Sequence, residues 1–167
     1  MAGALIITAE LGAADFAWLD GQRRAHFPPD RNQLAAHLTM FHALPPSLEQ
    51  EVSGQLKMLA QASRPPASIS GLMNLGGGVA YRVQSDALEA LRNQIAEHFA
   101  GSLTAQDGQG WRPHVTIQNK VPAAQARALF DRLTRDFEPR PLAIHGLALY
   151  RYLGGPWEAI GRWPFRG

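Results

Sequence analysis

Two of the six histidines in this 167-residue chain stand two places before a threonine: His37-Leu38-Thr39-Met40 and His114-Val115-Thr116-Ile117. In an extended strand, side chains at i and i+2 share a face and lie roughly 6.5 to 7 Å apart along it. Each triplet therefore presents an imidazole beside a hydroxyl, while Leu38, Met40, Val115 and Ile117 face the core. That pairing suits a phosphate, because the ring can move a proton near neutral pH and the hydroxyl can donate to a non-bridging oxygen. The two triplets also sit in matched surroundings: each falls on a predicted strand, is followed by an apolar residue and runs into a helix after a proline. Nothing in their sequence says which ring is the acid and which the base.

Other side chains are weaker candidates. Arg112 lies just before the second triplet, where it can steer a phosphate or merely cap the loop. Lys120 shares strand parity with His114, and a solvated surface role competes with phosphate contact. Tyr150 and Tyr152 on the last long strand can stack on a base or pack at the rim. His42 has the opposite parity to His37 and is expected on the other face. His26 and His98 read as surface residues, and His145 lacks the following hydroxyl. The chain has no cysteine, which removes disulfides, thiolate nucleophiles and zinc ribbons. With no His-x-x-x-His or His-x-Asp cluster either, neither a metal nor another cofactor is expected.

The elements that must carry these residues follow from hydrophobic period and breakers. Strands are predicted over 4–10, 35–44, 67–75, 79–83 and 113–121, with a final hairpin of 142–153 and 157–163 turned at Gly154-Gly155. Helices are predicted over 13–27, from a Ser47 cap through Leu59, from Asp86 through Phe99, and over 123–137. Gly76-Gly77-Gly78 lacks the Lys-Ser/Thr of a nucleotide loop and reads as a plain corner. Strands and helices alternate, but short turns join several strands, so an α+β arrangement of two similar lobes fits better than a doubly wound parallel sheet.

Composition sets the wider bounds. Hydrophobic residues make up 46% of the chain and charged residues 18%, enough apolar content for a globular fold, and no Pro- or Ser-rich linker divides it, so one domain over 1–167 is expected. A net charge of +2, carried almost wholly by arginine, allows a phosphate-bearing substrate without the dense basic face of a duplex binder. The apolar run near the N-terminus lacks a preceding basic segment, and no stretch has the length of a membrane span. A cytoplasmic protein with no membrane partner is expected, with monomer as the default state.

The two motifs, HLTM at 37–40 and HVTI at 114–117, together with Pro113, make the sequence similar to the two-histidine phosphoesterase superfamily, which includes 2′-5′ RNA ligase-like and RNA 2′,3′-cyclic phosphodiesterase families. The resemblance implies a bilobal α+β fold, its lobes related by a pseudo-twofold axis, with antiparallel-rich sheets lining a central cleft and helices outside. It further implies metal-independent hydrolysis, or reversible transesterification, of 2′,3′-cyclic phosphate or 2′-5′ phosphodiester bonds in RNA 3′ ends or small nucleotides. His37 and His114 would be the general acid and base, with Thr39 and Thr116 holding the phosphoryl oxygens. The alternative is a non-catalytic RNA or nucleotide binder on the same fold. One departure concerns the segment after the first motif, which in many relatives is Phe-Leu-Gly and here is Phe41-His42-Ala43-Leu44.

Overall fold

The apolar run near the N-terminus forms β1 (Leu5–Leu11), and the amphipathic stretch after Gly12 forms α1 (Ala13–His26), which buries Leu19 and Arg23. The computed structural model describes residues 3–167. The remaining elements are β2 (Leu38–Leu44), α2 (Glu49–Leu59), β3 (Ala67–Asn74), β4 (Val79–Gln84), α3 (Asp86–His98), α4 (Ala105–Gly108), β5 (His114–Gln118), α5 (Ala123–Arg135), β6 (Arg140–Leu142), β7 (Ile144–Tyr152) and β8 (Trp157–Pro164). They build two four-stranded antiparallel sheets, ordered β2-β1-β7-β8 and β5-β4-β3-β6. Among the described residues, no helix is long and apolar enough to cross a membrane.

The α+β architecture expected from the sequence is present, with three local differences. The predicted strand 142–153 is two strands: β6 completes the second sheet, then the chain passes through Ala143 and β7 enters the first. The exposed Ala143 fits a crossing point, its amide donating to Asp15 and its carbonyl accepting from Gly12. Ser47 does not cap α2, because a 3-10 turn at Pro46–Leu48 comes first and no side chain caps the helix. Residues 102–110, where no element is predicted, contain the short α4, capped by the Thr104 hydroxyl.

Two helices reach from one sheet to the other. α1 leaves the first sheet at β1 and packs on β5 of the second, while α3 leaves β4 of the second and sends Arg92 to β2 of the first. α2 packs instead on β7 and β8, and α5 on β3 and β4, of the sheet that each leaves. Leu38, Met40, Phe41, Val115 and Ile117 are fully buried in the continuous core this creates.

Each motif strand carries an irregularity at the same offset from its histidine. The β1–β2 register slips around Met40-Phe41, and the β4–β5 register slips around Ile117-Gln118. At both bulges two consecutive residues turn inward: Met40 and Phe41 in one strand, Ile117 and Gln118 in the other.

The glycine corner of residues 76–78 is the β3–β4 hairpin loop. Gly76 has φ +88°, and a Cβ on Gly78 would lie 1.9 Å from the Gln118 carbonyl oxygen. The close approach of β4 to the bulge of β5 therefore requires glycine at 78. Gly78→Ala is expected to destabilise the fold by roughly 1 to 3 kcal/mol through overpacking, measured by urea denaturation, whereas Gly54→Ala, on an exposed helix face with open space around it, should not.

Candidate active site

Strand pleat puts Thr39 and Thr116 on the face opposite the buried Leu38, Met40, Val115 and Ile117, and the two sheets turn those faces toward one gap. His37, Thr39, His114 and Thr116 all line a single cleft of about 570 Å³. His37 lies one residue before β2, whose expected start was residue 35. His114 is the first residue of β5.

Both rings are aimed by the same device. Nδ1 of His37 donates to the Ala35 carbonyl at 2.8 Å, and Nδ1 of His114 donates to the Arg112 carbonyl at 2.6 Å. A carbonyl has no hydrogen to give, so in each ring Nδ1 must carry the proton, which leaves Nε2 for chemistry. Trp157 meets the His37 ring edge-on, with centroids 4.7 Å apart, and Tyr150 lies 5.5 Å from Trp157.

Burial pushes the His37 imidazole down to about 4, with the positive charges of Arg23, His114 and His42 adding to the effect and the Ala35 carbonyl opposing it. The ring is therefore neutral at neutral pH. A positive charge on His114 thus disfavours protonation of His37.

His42 lines this cleft too, contrary to its expected place on the opposite face. The Met40-Phe41 bulge supplies the reason: one extra inward residue reverses the strand's alternation and returns position 42 to the side of Thr39. Asp107, 1% exposed, holds this turn-back in place. Its carboxylate accepts from the backbone amides of His42 (2.9 and 3.0 Å) and Ala43 (2.9 Å) and from His42 Nδ1 (3.0 Å). Burial alone would raise this carboxyl, but the bonds from His42 and Ala43 outweigh it and hold it below the usual carboxylate value.

Two buried arginines complete the frame. Arg92 donates from Nε to the Met40 carbonyl and from Nη2 to the Asp107 carbonyl, and stacks 4.3 Å from the Phe41 ring. Arg23 donates from Nη1 to the Thr116 carbonyl and from Nε to Asn32 Oδ1. Trp111 Nε1 donates to the Thr39 carbonyl. None of Arg23, Arg92, Asp107 and Trp111 was singled out for chemistry by sequence. The spacing Thr104-x-x-Asp107, a helix-capping signature, was the one available sign of local order at Asp107.

The weaker candidates divide. Arg112 lines the cleft. Tyr150 lines an adjoining pocket of about 380 Å³ that shares His37 and Trp157 with it. Tyr152, opposite Trp157 across the β7–β8 ladder, lines neither. Lys120 lies past the end of β5 in a left-handed turn (φ 63°), also outside the cleft lining. Among the described residues, no three His, Asp or Glu side chains converge as a metal-ligating set.

The sequence model of the 2′-5′ RNA ligase superfamily matches residues 12–156. No curated protein sequence matches significantly. Solved structures with the same fold include the Thermus thermophilus protein TT0787 (14% identity, 98% of each chain covered, TM-score 0.69). Another is E. coli LigT in complex with 3′-AMP (18%, 100% of each chain, TM-score 0.66). A third, described as a phosphoesterase, matches at 18% identity over 99% of each chain with TM-score 0.63.

A histidine whose folded-state pKa is depressed contributes stability above its unfolded pKa and loses it as pH falls through the folded value. For His37 that window runs from an unfolded value of about 6.5 down to about 4. Stability measured by urea denaturation should fall across it by up to about 3 kcal/mol from this residue. In His37→Gln that part of the slope should vanish; a profile parallel to the unsubstituted protein would contradict the neutral, desolvated ring.

Proposed function

Because the chain belongs to the 2′-5′ RNA ligase superfamily, we propose that it is a phosphodiesterase that opens 2′,3′-cyclic phosphates, or in the reverse sense handles 2′-5′ linkages, at RNA 3′ ends or on small nucleotides. The observation that carries this reading is the pair of His-x-Thr motifs lining one cleft, each ring aimed through the same Nδ1 bond. The similar LigT structure is a complex with 3′-AMP, a ligand that carries its phosphate on the ribose edge, which fits the same reading.

In the proposed reaction His37, neutral by desolvation, accepts through Nε2 a proton from the water that attacks phosphorus. The new P–O bond forms as the bond to one ribose oxygen breaks, and His114 delivers the proton that oxygen needs. Thr39 and Thr116 donate to the non-bridging oxygens, where charge grows. With a ribose hydroxyl in place of water, the same transfers run toward a 2′-5′ linkage. No step calls for a metal, since the two imidazoles supply both proton transfers.

His37→Ala and His114→Ala should each lower kcat on a nucleoside 2′,3′-cyclic phosphate by roughly two to four orders of magnitude, assayed with a chelator present. Binding without turnover in the unsubstituted chain would favour the nucleotide-binder alternative, and turnover unchanged by either substitution would refute the assignment. The acid limb of kcat/KM, which reports the free enzyme, should lie near the depressed His37 value of about 4 rather than near the ordinary value of about 6.5.

A further inference from the structure

The lining of the cleft extends beyond the two motif pairs and includes a third imidazole. His42 is 42% exposed at its side chain and lines the cleft, with its Nδ1 committed to the fully buried side chain of Asp107 at 3.0 Å. That commitment leaves Nε2 as the nitrogen free to meet a ligand. Gln106 on α4, and Gln109 and Arg112 on the loop between α4 and β5, line the same cleft. Nothing in the proposed proton transfers uses any of these four side chains.

Position follows from the strand. His42 is three positions after Thr39, one step being absorbed by the bulge, so the ring stands roughly 7 to 10 Å farther along β2. That is about one nucleotide of backbone from a phosphorus held at Thr39. The charge arrangement is also defined. A second phosphate at Nε2 would leave the ring between two anions, the phosphate on one nitrogen and the Asp107 carboxylate on the other, with both N–H groups donating. Asp107 is itself fixed by two backbone amides, so the imidazole is oriented before any ligand arrives.

We propose that His42, oriented by Asp107, forms with Arg112 a second anion subsite that holds the phosphate one nucleotide away from the reacting one, so that the preferred ligand carries two phosphates on one nucleoside, as the last residue of an RNA strand does. The inference rests on reading the cleft as a phosphate site. It adds the substrate class: a strand end rather than a free nucleoside cyclic phosphate.

Calorimetric binding tests it without requiring turnover. The unsubstituted chain is titrated with adenosine 3′-monophosphate and with adenosine 3′,5′-bisphosphate, and the ratio of the two Kd values is compared with that of His42→Gln and His42→Lys. The bisphosphate should bind about tenfold more tightly to the unsubstituted chain, the size expected of one charge-assisted hydrogen bond. His42→Gln should bring the ratio close to one, and His42→Lys, which restores a cation, should recover part of it, a recovery that a purely structural role would not give. A ratio near one in the unsubstituted chain overturns the subsite whatever the variants do, and so does a tenfold ratio that survives His42→Gln. A preference that depends on His42 in a chain that turns over no cyclic phosphate would sustain the subsite while removing the hydrolytic reading; absence of binding by both ligands would remove both.

Discussion

Two chain segments far apart in sequence must present their histidines to one gap, and the constraint that secures this is a reciprocal pair of buried arginines. Arg92, from a helix that leaves the second sheet, donates to the Met40 carbonyl in the first motif strand, while Arg23, from a helix that leaves the first sheet, donates to the Thr116 carbonyl in the second. A guanidinium taken out of water is tolerable only where carbonyls and carboxamides receive its hydrogens. Each arginine can be satisfied only when the opposite motif strand is in place, so the geometry of one lobe is a condition for the polar satisfaction of the other. The rings, hydroxyls and cleft walls inherit their positions from this reciprocity.

The same reciprocity explains the repeated details. Both motif histidines take their orientation from a carbonyl two residues back, and both strands bulge at the third and fourth positions after the histidine. The halves diverge where the bulge ends. In the first motif strand the chain turns His42 back to the cleft and Asp107 binds it there; in the second it ends in the left-handed turn at Lys120, whose amide bonds to the Asn119 side chain. A symmetric frame thus carries an asymmetric lining, which a substrate with two different ends requires.

Much of this was legible in the sequence. The alternation of Leu38 and Met40 against His37 and Thr39, and of Val115 and Ile117 against His114 and Thr116, needs only the period of a strand, and it gave the two motif faces correctly. The bulge was not legible, because an inserted residue leaves no mark in the hydrophobic pattern when both Met40 and Phe41 are apolar, and the misplacement of His42 followed from that alone. Asp107, Arg92 and Trp111 were hidden for another reason. Their partners on β2 lie 52 to 72 residues away, and a polar loop with a capping signature looks the same whether its carboxylate meets water or a distant backbone. The division at Ala143 was equally invisible, since Leu142 is as apolar as the β7 residues that follow and β6, an Arg-Pro-Leu edge strand, is too short to leave a pattern of its own.

The order of the first sheet sets a timetable for synthesis. β1 and β2 are made well before β7 and β8, yet β1 lies between β2 and β7, and β8 closes the far edge. While a ribosome is still extending the chain, the β1–β2 pair exposes an open edge that β7 and β8 will cover, whereas most of the second sheet can pair as it emerges. The sheet that begins before the other is completed after it, and such long-range closure slows folding and leaves the β1–β2 pair as the segment most in need of protection from other chains.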